Sequence, residues 1–252
     1  VDLDNPDAIV YGYEKNFIEI AEYYMKKNPE PRVLHMGGGG YTFPRYLEKH
    51  HPGVINEVVE IDPEVTRINY THLGLSPGTA IKTYNQDARL FLMQRDTRLK
   101  YDIIAGDVFN DVSTPYHLTT LEFQKLVKAN LTENGIYMIN IIDDYGKGRY
   151  MPSIIYTLKQ VFKYVTFFCP TQGYEVLRLG TFVILASDSY FDKGDYEAYL
   201  KEKGISIPAG YPYDEVVLQE YLDARDPVLL TDDYAPTDIL VAPTIEMRVR
   251  GY

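Results

Sequence analysis

The sequence holds one cysteine and no tryptophan in 252 residues. A single cysteine rules out an intramolecular disulfide, and Cys169, closing the apolar run YVTFFC, reads as a small core residue at a strand end. Positive charge is also short: 25 Lys and Arg face 36 Asp and Glu, a net −11. A phosphate-backbone partner needs a basic face, so no nucleic-acid partner is expected, whereas a cationic ligand suits this balance, as do the 24 tyrosines, whose ring faces attract cations. No apolar run approaches the roughly 18 residues that span a bilayer. No leader pattern opens the chain at Val1, and no internal repeat or low-complexity stretch occurs. What is present is an ordinary globular composition, 45% hydrophobic, with a length that suits one α/β domain and a small appendage.

Apolar spacing then gives the elements. EKNFIEIAEYYMKK (14–27) sets Phe17, Ile18, Ala21, Tyr24 and Met25 at helical intervals. RVLHM (32–36) reads as a buried strand and YTFPRYLEKHH as turn and helix. VINEVVEID (54–62) is a second strand, followed by a helix from Pro63, a good first-turn residue. IKTYNQD, YDIIAGDVF (101–109) and GIYMINII (135–142) are the next three strands, with helices ARLFLMQ and TTLEFQKLVKANL between them. A helix over about 149–162 precedes YVTFFC and TFVILAS, a closing antiparallel pair. This alternation predicts an α/β fold with a Rossmann-like, doubly wound, mostly parallel sheet of seven strands. The chain divides into an N-terminal segment and helix (1–30), a main domain (31–190) and a segment packing on it (191–252), where EVVLQEYLDA is helical and LLTDDYAPTDILVAP irregular.

Ligands of such sheets lie at the carboxyl ends of the strands, near the reversal of strand order. That singles out residues 37–40, 60–62, 87, 107 and 140–144. Glycines after a strand let a nucleotide approach the backbone without Cβ interference, and the next helix offers free N–H groups; a tight turn needs glycines too. No Lys-Ser/Thr pair follows Gly37, Gly38, Gly39 and Gly40, which disfavours a phosphate-gripping loop. Glu60, 21 positions after Gly39, has the spacing of a ribose-hydroxyl acceptor. Asp62 is placed for the same task or for capping the helix from Pro63. Asp87, followed by Ala88, is placed to accept from an adenine amino group or to cap a helix. Asp107 would face the reacting end, accepting a proton or steadying a cation, or it forms a turn. The connection 108–118 has the length of a mobile lid. His35 reads as a satisfied core histidine, His50 and His51 sit at a helix end where positive charge is favoured, and His72 and His117 have no partner at ligand spacing. Neither a metal site nor a Ser-His-Asp arrangement emerges.

VLHMGGGG, EVVEIDPEV, NQDARLFL, YDIIAGDVFND and TPYHLTTLEFQKLVKANLTENGIYMIN occur in this order over roughly residues 10–190. Together they resemble the spermidine synthase (polyamine aminopropyltransferase) family. GGGGYTFPRYL, DVF and HLTTLEF are most similar to its divergent spermidine-synthase-like branch, some members of which are fused to membrane helices; LLTDDYAPTD resembles their C-terminal part. The resemblance implies a fold like that of S-adenosylmethionine-dependent methyltransferases. It also implies an enzyme that needs no metal, takes decarboxylated S-adenosylmethionine, transfers the aminopropyl group to a polyamine such as putrescine and releases methylthioadenosine. By resemblance Gly37, Gly38 and Gly39 wrap the nucleoside, Glu60 holds the ribose, Asp87 the adenine, and Asp107 is the catalytic carboxylate. A homo-oligomer is implied as well, and a soluble cytoplasmic domain, either free or part of a longer membrane protein.

Two departures stand out. Ordinary members carry an aspartate directly after the three glycines, which binds the ammonium of the aminopropyl group; here that position is Gly40. They carry a second aspartate three residues after the catalytic one, then a proline; here those places hold Asn110 and Asp111. Intact S-adenosylmethionine bears a carboxylate that the decarboxylated form lacks. Beside an aspartate at about 4 Å that carboxylate would cost on the order of 4 kcal/mol at an effective dielectric of about 20. Gly40 removes this repulsion and adds N–H groups, so the loop alone predicts a site that takes intact S-adenosylmethionine. The functions open at this point are aminopropyl transfer, a lyase acting on S-adenosylmethionine without an external acceptor, a methyltransferase, and a non-catalytic nucleoside-binding module.

Overall fold

Short buried runs of Val, Leu, Ile and Met become the central strands, because apolar residues on both faces require helices above and below. The computed structural model describes residues 2, 4–5, 8–96, 98–108, 114–171 and 179–249. Five parallel strands carry the fold: β1 (Arg32–Met36), β2 (Ile55–Val59), β3 (Lys82–Tyr84), β4 (Tyr101–Gly106) and β5 (Leu131–Asp144). β6 (Tyr164–Cys169) and β7 (Leu179–Ser187) extend the sheet antiparallel to β5. A two-residue strand, β8 (Tyr211–Pro212), pairs with the end of β6. Among the described residues eight strands form one sheet, in the order β3-β2-β1-β4-β5-β7-β6-β8. The sheet is doubly wound and mostly parallel, as its sequence predicts, with eight strands in place of seven. The extra one is too short to show periodicity, and Pro212, which has no N–H, fits only an outer strand.

Helices α1 (Gly12–Met25) and α2 (Thr42–His50) pack on one face of the sheet through Phe17, Ile20, Phe43 and Leu47, against Val33, Ile103 and Met138. α5 (Leu121–Asn130) and α6 (Tyr150–Lys159) cover the other, with Phe123, Val127, Ile154 and Leu158 against Leu34, Ile104 and Ile139. α3 (Pro63–Thr71) and α4 (Ala88–Gln94) each start at an aspartate whose side chain accepts a backbone N–H of the first turn. The final segment is helical at EVVLQEYLDA, as expected, but departs from the irregularity expected of LLTDDYAPTDILVAP. It holds α7 (Lys193–Glu202), α8 (Glu215–Asp223) and a last helix, α9 (Thr237–Val249), in which Pro243 hides the helical pattern. Leu240 and Val241 of α9 join the same core as α5 and α6. No described helix is long and apolar enough to cross a membrane.

One buried ionic cluster ties β1, β2 and the end of α4. Glu57, 1% exposed, accepts from Arg32 at 3.0 Å and from Arg95 at 2.8 Å, while the Tyr84 hydroxyl donates to its other oxygen at 3.0 Å. Burial alone would push its pKa up, but the Tyr101 hydroxyl, Arg95, Arg32 and Tyr84 together hold the carboxyl below its ordinary range. A lowered carboxylate pKa stabilises the fold above the unfolded pKa, and that share is lost as pH falls through the folded value. Glu57→Gln leaves two guanidinium groups short of a counter-charge and is expected to cost about 3 kcal/mol at pH 7. Denaturant unfolding checks this, and the difference from wild type should shrink as pH falls below the ordinary carboxylate range and through the lowered folded value.

Candidate active site

Strand order reverses between β1 and β4, and the chain leaves both at their carboxyl ends. The Gly37 N–H donates to the Val59 carbonyl and the Asp107 N–H to the Met36 carbonyl, each at 2.9 Å. The glycine loop and the carboxylate therefore grow from adjoining strand ends. Gly37 has φ +89°, and a Cβ there would run into the Asp107 carbonyl. A Cβ at Gly38 would sit 2.6 Å from the Tyr41 ring. Glycine is needed at both places because backbone and ring leave no space, the former also for its left-handed conformation.

Asp107 is held from two sides. Its Oδ2 accepts the Tyr13 hydroxyl and its Oδ1 the Asn140 amide nitrogen, both at 2.9 Å. Burial pushes its pKa up, and the bonds from Asn140 and Tyr13 only partly offset this. Burial, then the negative field of Asp107 and Glu14, raises the Tyr13 phenol far above its ordinary value, so it remains a donor. A cavity of about 110 Å³ brings Gly37, Gly38, Gly39, Gly40 and Asp107 together, with Tyr13, Glu14 and Thr42 on its walls.

The remaining candidates sit around this cavity. Glu60, 8% exposed, lies behind the loop: Oε2 accepts the Gly38 N–H at 2.7 Å and Oε1 the Asp62 N–H at 2.9 Å. Asp62 caps α3, accepting the Glu64 N–H at 2.8 Å, so the capping alternative accounts for its carboxylate. Asp87 caps α4 through the Leu90 N–H at 2.9 Å, and its second oxygen meets His117 Nε2 at 2.8 Å; Ala88 is the buried first residue of that helix. Although burial opposes its charge, the Leu90 N–H and His117 hold the Asp87 pKa below its ordinary value. His117 thus has a partner, 30 residues upstream and invisible to local spacing. His35 is a satisfied core histidine: Nε2 lies 3.0 Å from Asn56 Oδ1, and burial brings its pKa down to about 4. Asn110, Asp111 and residues 109–113 of the expected lid lie outside the described residues. A roomier cavity of about 600 Å³, bordered by Tyr24, Asp102 and Glu133, opens at the amino end of β4, away from these groups.

Tyr13 and Glu14 were not singled out by sequence, and Asn140 was marked only as part of the strand end 140–144, with no role of its own. α1 announces itself through its apolar stripe, which says nothing about the polar residues of its first turn. Asn140 lies in a strand end already marked as a place to look, but nothing local distinguishes it from its neighbours.

A sequence profile of the Spermine/spermidine synthase domain matches residues 14–188, well over half of the chain. Polyamine aminopropyltransferase from Vibrio vulnificus is 34% identical over 115 residues, covering 45% of this chain and 38% of that protein. The eEF1A lysine and N-terminal methyltransferase of Bos taurus is 30% identical over 139 residues, covering 49% of this chain and 20% of that protein. The chain therefore matches less than half the length of either relative. The crystal structure of a probable spermidine synthase from Corynebacterium glutamicum matches with a TM-score of 0.77 at 24% identity, over 90% of this chain and 83% of that one, a likeness of fold. Profile, strand order and the glycine loop facing Asp107 agree: the chain belongs to the spermine/spermidine synthase family.

Proposed function

We propose that this protein is a transferase of the aminopropyltransferase type. It takes an adenosyl sulfonium nucleoside at the loop 37–40 and passes the three-carbon side chain to an amine such as a polyamine, leaving methylthioadenosine. The observation that carries this reading is Asp107, a partly buried carboxylate at the carboxyl end of β4, oriented by Tyr13 and Asn140 and sharing one cavity with the glycine loop. In the reaction the amine lone pair attacks the side-chain carbon bonded to sulfur. The carbon–sulfur bond breaks, its electron pair neutralises the sulfonium to a thioether, and the proton shed by the new ammonium passes to Asp107. A carboxylate whose pKa is raised by burial accepts that proton more readily than one in water. Each Asp107 oxygen spends one lone pair on its positioning bond and keeps another. Glu60 likewise keeps lone pairs for the ribose hydroxyls after holding two backbone N–H groups, and Asp87, steadied by His117, faces the adenine beside Ala88.

A methyltransferase is the second reading, favoured by the similarity to the eEF1A methyltransferase. The product separates them. With S-adenosylmethionine or its decarboxylated form, and with or without putrescine, the protein should yield methylthioadenosine in an amine-dependent manner. S-adenosylhomocysteine would establish the methyltransferase, amine-independent methylthioadenosine a lyase, and no turnover a binding module.

Asp107→Asn keeps the shape and removes the proton acceptor, so methylthioadenosine formation should fall at least about a hundredfold with nucleoside affinity nearly unchanged. The wild-type kcat/KM should rise with pH through the Asp107 pKa, which burial places above the ordinary carboxylate range, because only the ionised form accepts a proton. That limb should vanish in the variant, and steady-state rates across pH would show it. Glu60→Gln should weaken methylthioadenosine binding by about 1.5–3 kcal/mol through loss of a charged acceptor, as read by calorimetry.

A further inference from the structure

The cavity beside Asp107 is lined by two carboxylates, those of Asp107 and Glu14. Glu14, in the first turn of α1, is 9% exposed, and the Thr42 hydroxyl is its side-chain hydrogen-bond partner. Burial pushes its pKa up, and the negative Asp107 nearby adds to the rise although the Thr42 bond opposes it. The described residues lining the cavity include no lysine or arginine. Their one histidine, His35, is kept neutral by burial and is bonded to Asn56. Four of the donors at hand are committed: Tyr13 to Asp107, Thr42 to Glu14, the Gly37 N–H to Val59 and the Gly38 N–H to Glu60. Asn140, 3% exposed, gives its amide nitrogen to Asp107, and its Oδ1 has no partner among the described residues.

Two carboxylates, with no lysine or arginine among the described lining residues, match a ligand group that is positive and rich in N–H donors. A primary ammonium is both. The cavity, about 110 Å³, is smaller than the roughly 150 Å³ that admits benzene, which suits a short aliphatic chain with its terminal group and leaves the nucleoside outside.

We propose that Glu14 is the specificity-determining residue of this site: its carboxylate receives the ammonium at the end of the nucleoside's three-carbon chain, and so selects decarboxylated S-adenosylmethionine over the intact form. The inference rests on the aminopropyltransferase reading above. Intact S-adenosylmethionine also offers an ammonium, but it brings a carboxylate that meets Glu14 and Asp107, with no lysine or arginine among the described lining residues to receive it. The preference for the intact form that Gly40 alone predicts is thereby reversed, because the charge absent from the loop is supplied by α1.

Calorimetric titration of the wild type, Glu14→Gln and Glu14→Asp with decarboxylated S-adenosylmethionine, intact S-adenosylmethionine and methylthioadenosine tests this. The wild type should bind the decarboxylated form at least about tenfold more tightly than the intact one, a ratio that Glu14→Gln brings to within about threefold and Glu14→Asp retains. Methylthioadenosine, which lacks the charged end, should bind all three proteins within about twofold of one another. A wild-type preference for the intact form, or an unchanged ratio in Glu14→Gln, overturns the role of Glu14 while methylthioadenosine binding preserves the nucleoside site. Failure of the wild type to bind methylthioadenosine overturns both. The wild-type ratio requires no variant, so a preference for the intact form overturns the proposal even where Glu14→Gln does not fold, and Glu14→Asp then reads the role of the carboxylate.

Discussion

Where β1 and β4 end side by side, the backbone of residue 37 meets the backbone of residue 107 so closely that no side chain fits between them. This contact is the constraint from which the site follows. It is set by parallel pairing, with Met36 opposite Gly106 as the last matched pair, so that the next residue on each strand turns outward at the same level. Gly37 can make that turn because it tolerates a left-handed φ. Asp107 makes it with its N–H still bound to the Met36 carbonyl. A parallel sheet whose order reverses here leaves its ligand crevice at this point, and these two residues are its lip.

The crevice would be a shallow notch without α1. Phe17, Ile20 and Ala21 are buried against the sheet face formed by Val33, Ile103 and Met138, and this apolar seat fixes the helix to within the tolerance of a packed core. The polar first turn is carried along. Tyr13 reaches Asp107, 94 residues away in sequence, and Glu14 joins the cavity wall. Core packing on one stretch of α1 thus positions chemistry on the next. The energy that holds Tyr13 and Glu14 in place comes from the hydrophobic contacts of their helical neighbours, not from the hydrogen bonds they make themselves.

Much of the fold was legible because its elements carry strong local signals. β6 and α4 lie at the positions their apolar patterns predict, and Asp62 and Asp87 take the capping places that flank α3 and α4. What escaped was weak locally or depended on distant pairing. β8 is two residues long, and α9 carries Pro243 inside it. β5 begins at Leu131, four residues before the expected strand GIYMINII, because Leu131 pairs with Tyr101 across a register shift. The site divides in the same way. Residues at strand ends, the glycines and Asp107, could be read from where strands stop. Their partners Tyr13 and Asn140 could not, since only the folded topology brings them to that carboxylate.

The electrostatics of the cavity tie folding to binding. Removal from water raises the pKa of both carboxylates, the negative Asp107 raises that of Glu14 further, and the folded state bears the desolvation of whichever is ionised. A buried negative charge without a partner is normally avoided, and elsewhere in this protein it is: Glu57 is matched by Arg32 and Arg95. The contrast between these two places in one chain is informative. At the β2 cluster the protein supplies its own cations and gains stability from them. Beside Asp107 it supplies neutral donors and, among the described lining residues, no lysine or arginine. A cation entering there would relieve the desolvation of both carboxylates at once and lower both pKa values, so its binding energy includes a share that the fold has already given up. Stability is thereby exchanged for affinity at the one point in the sheet where strand order leaves room for a ligand.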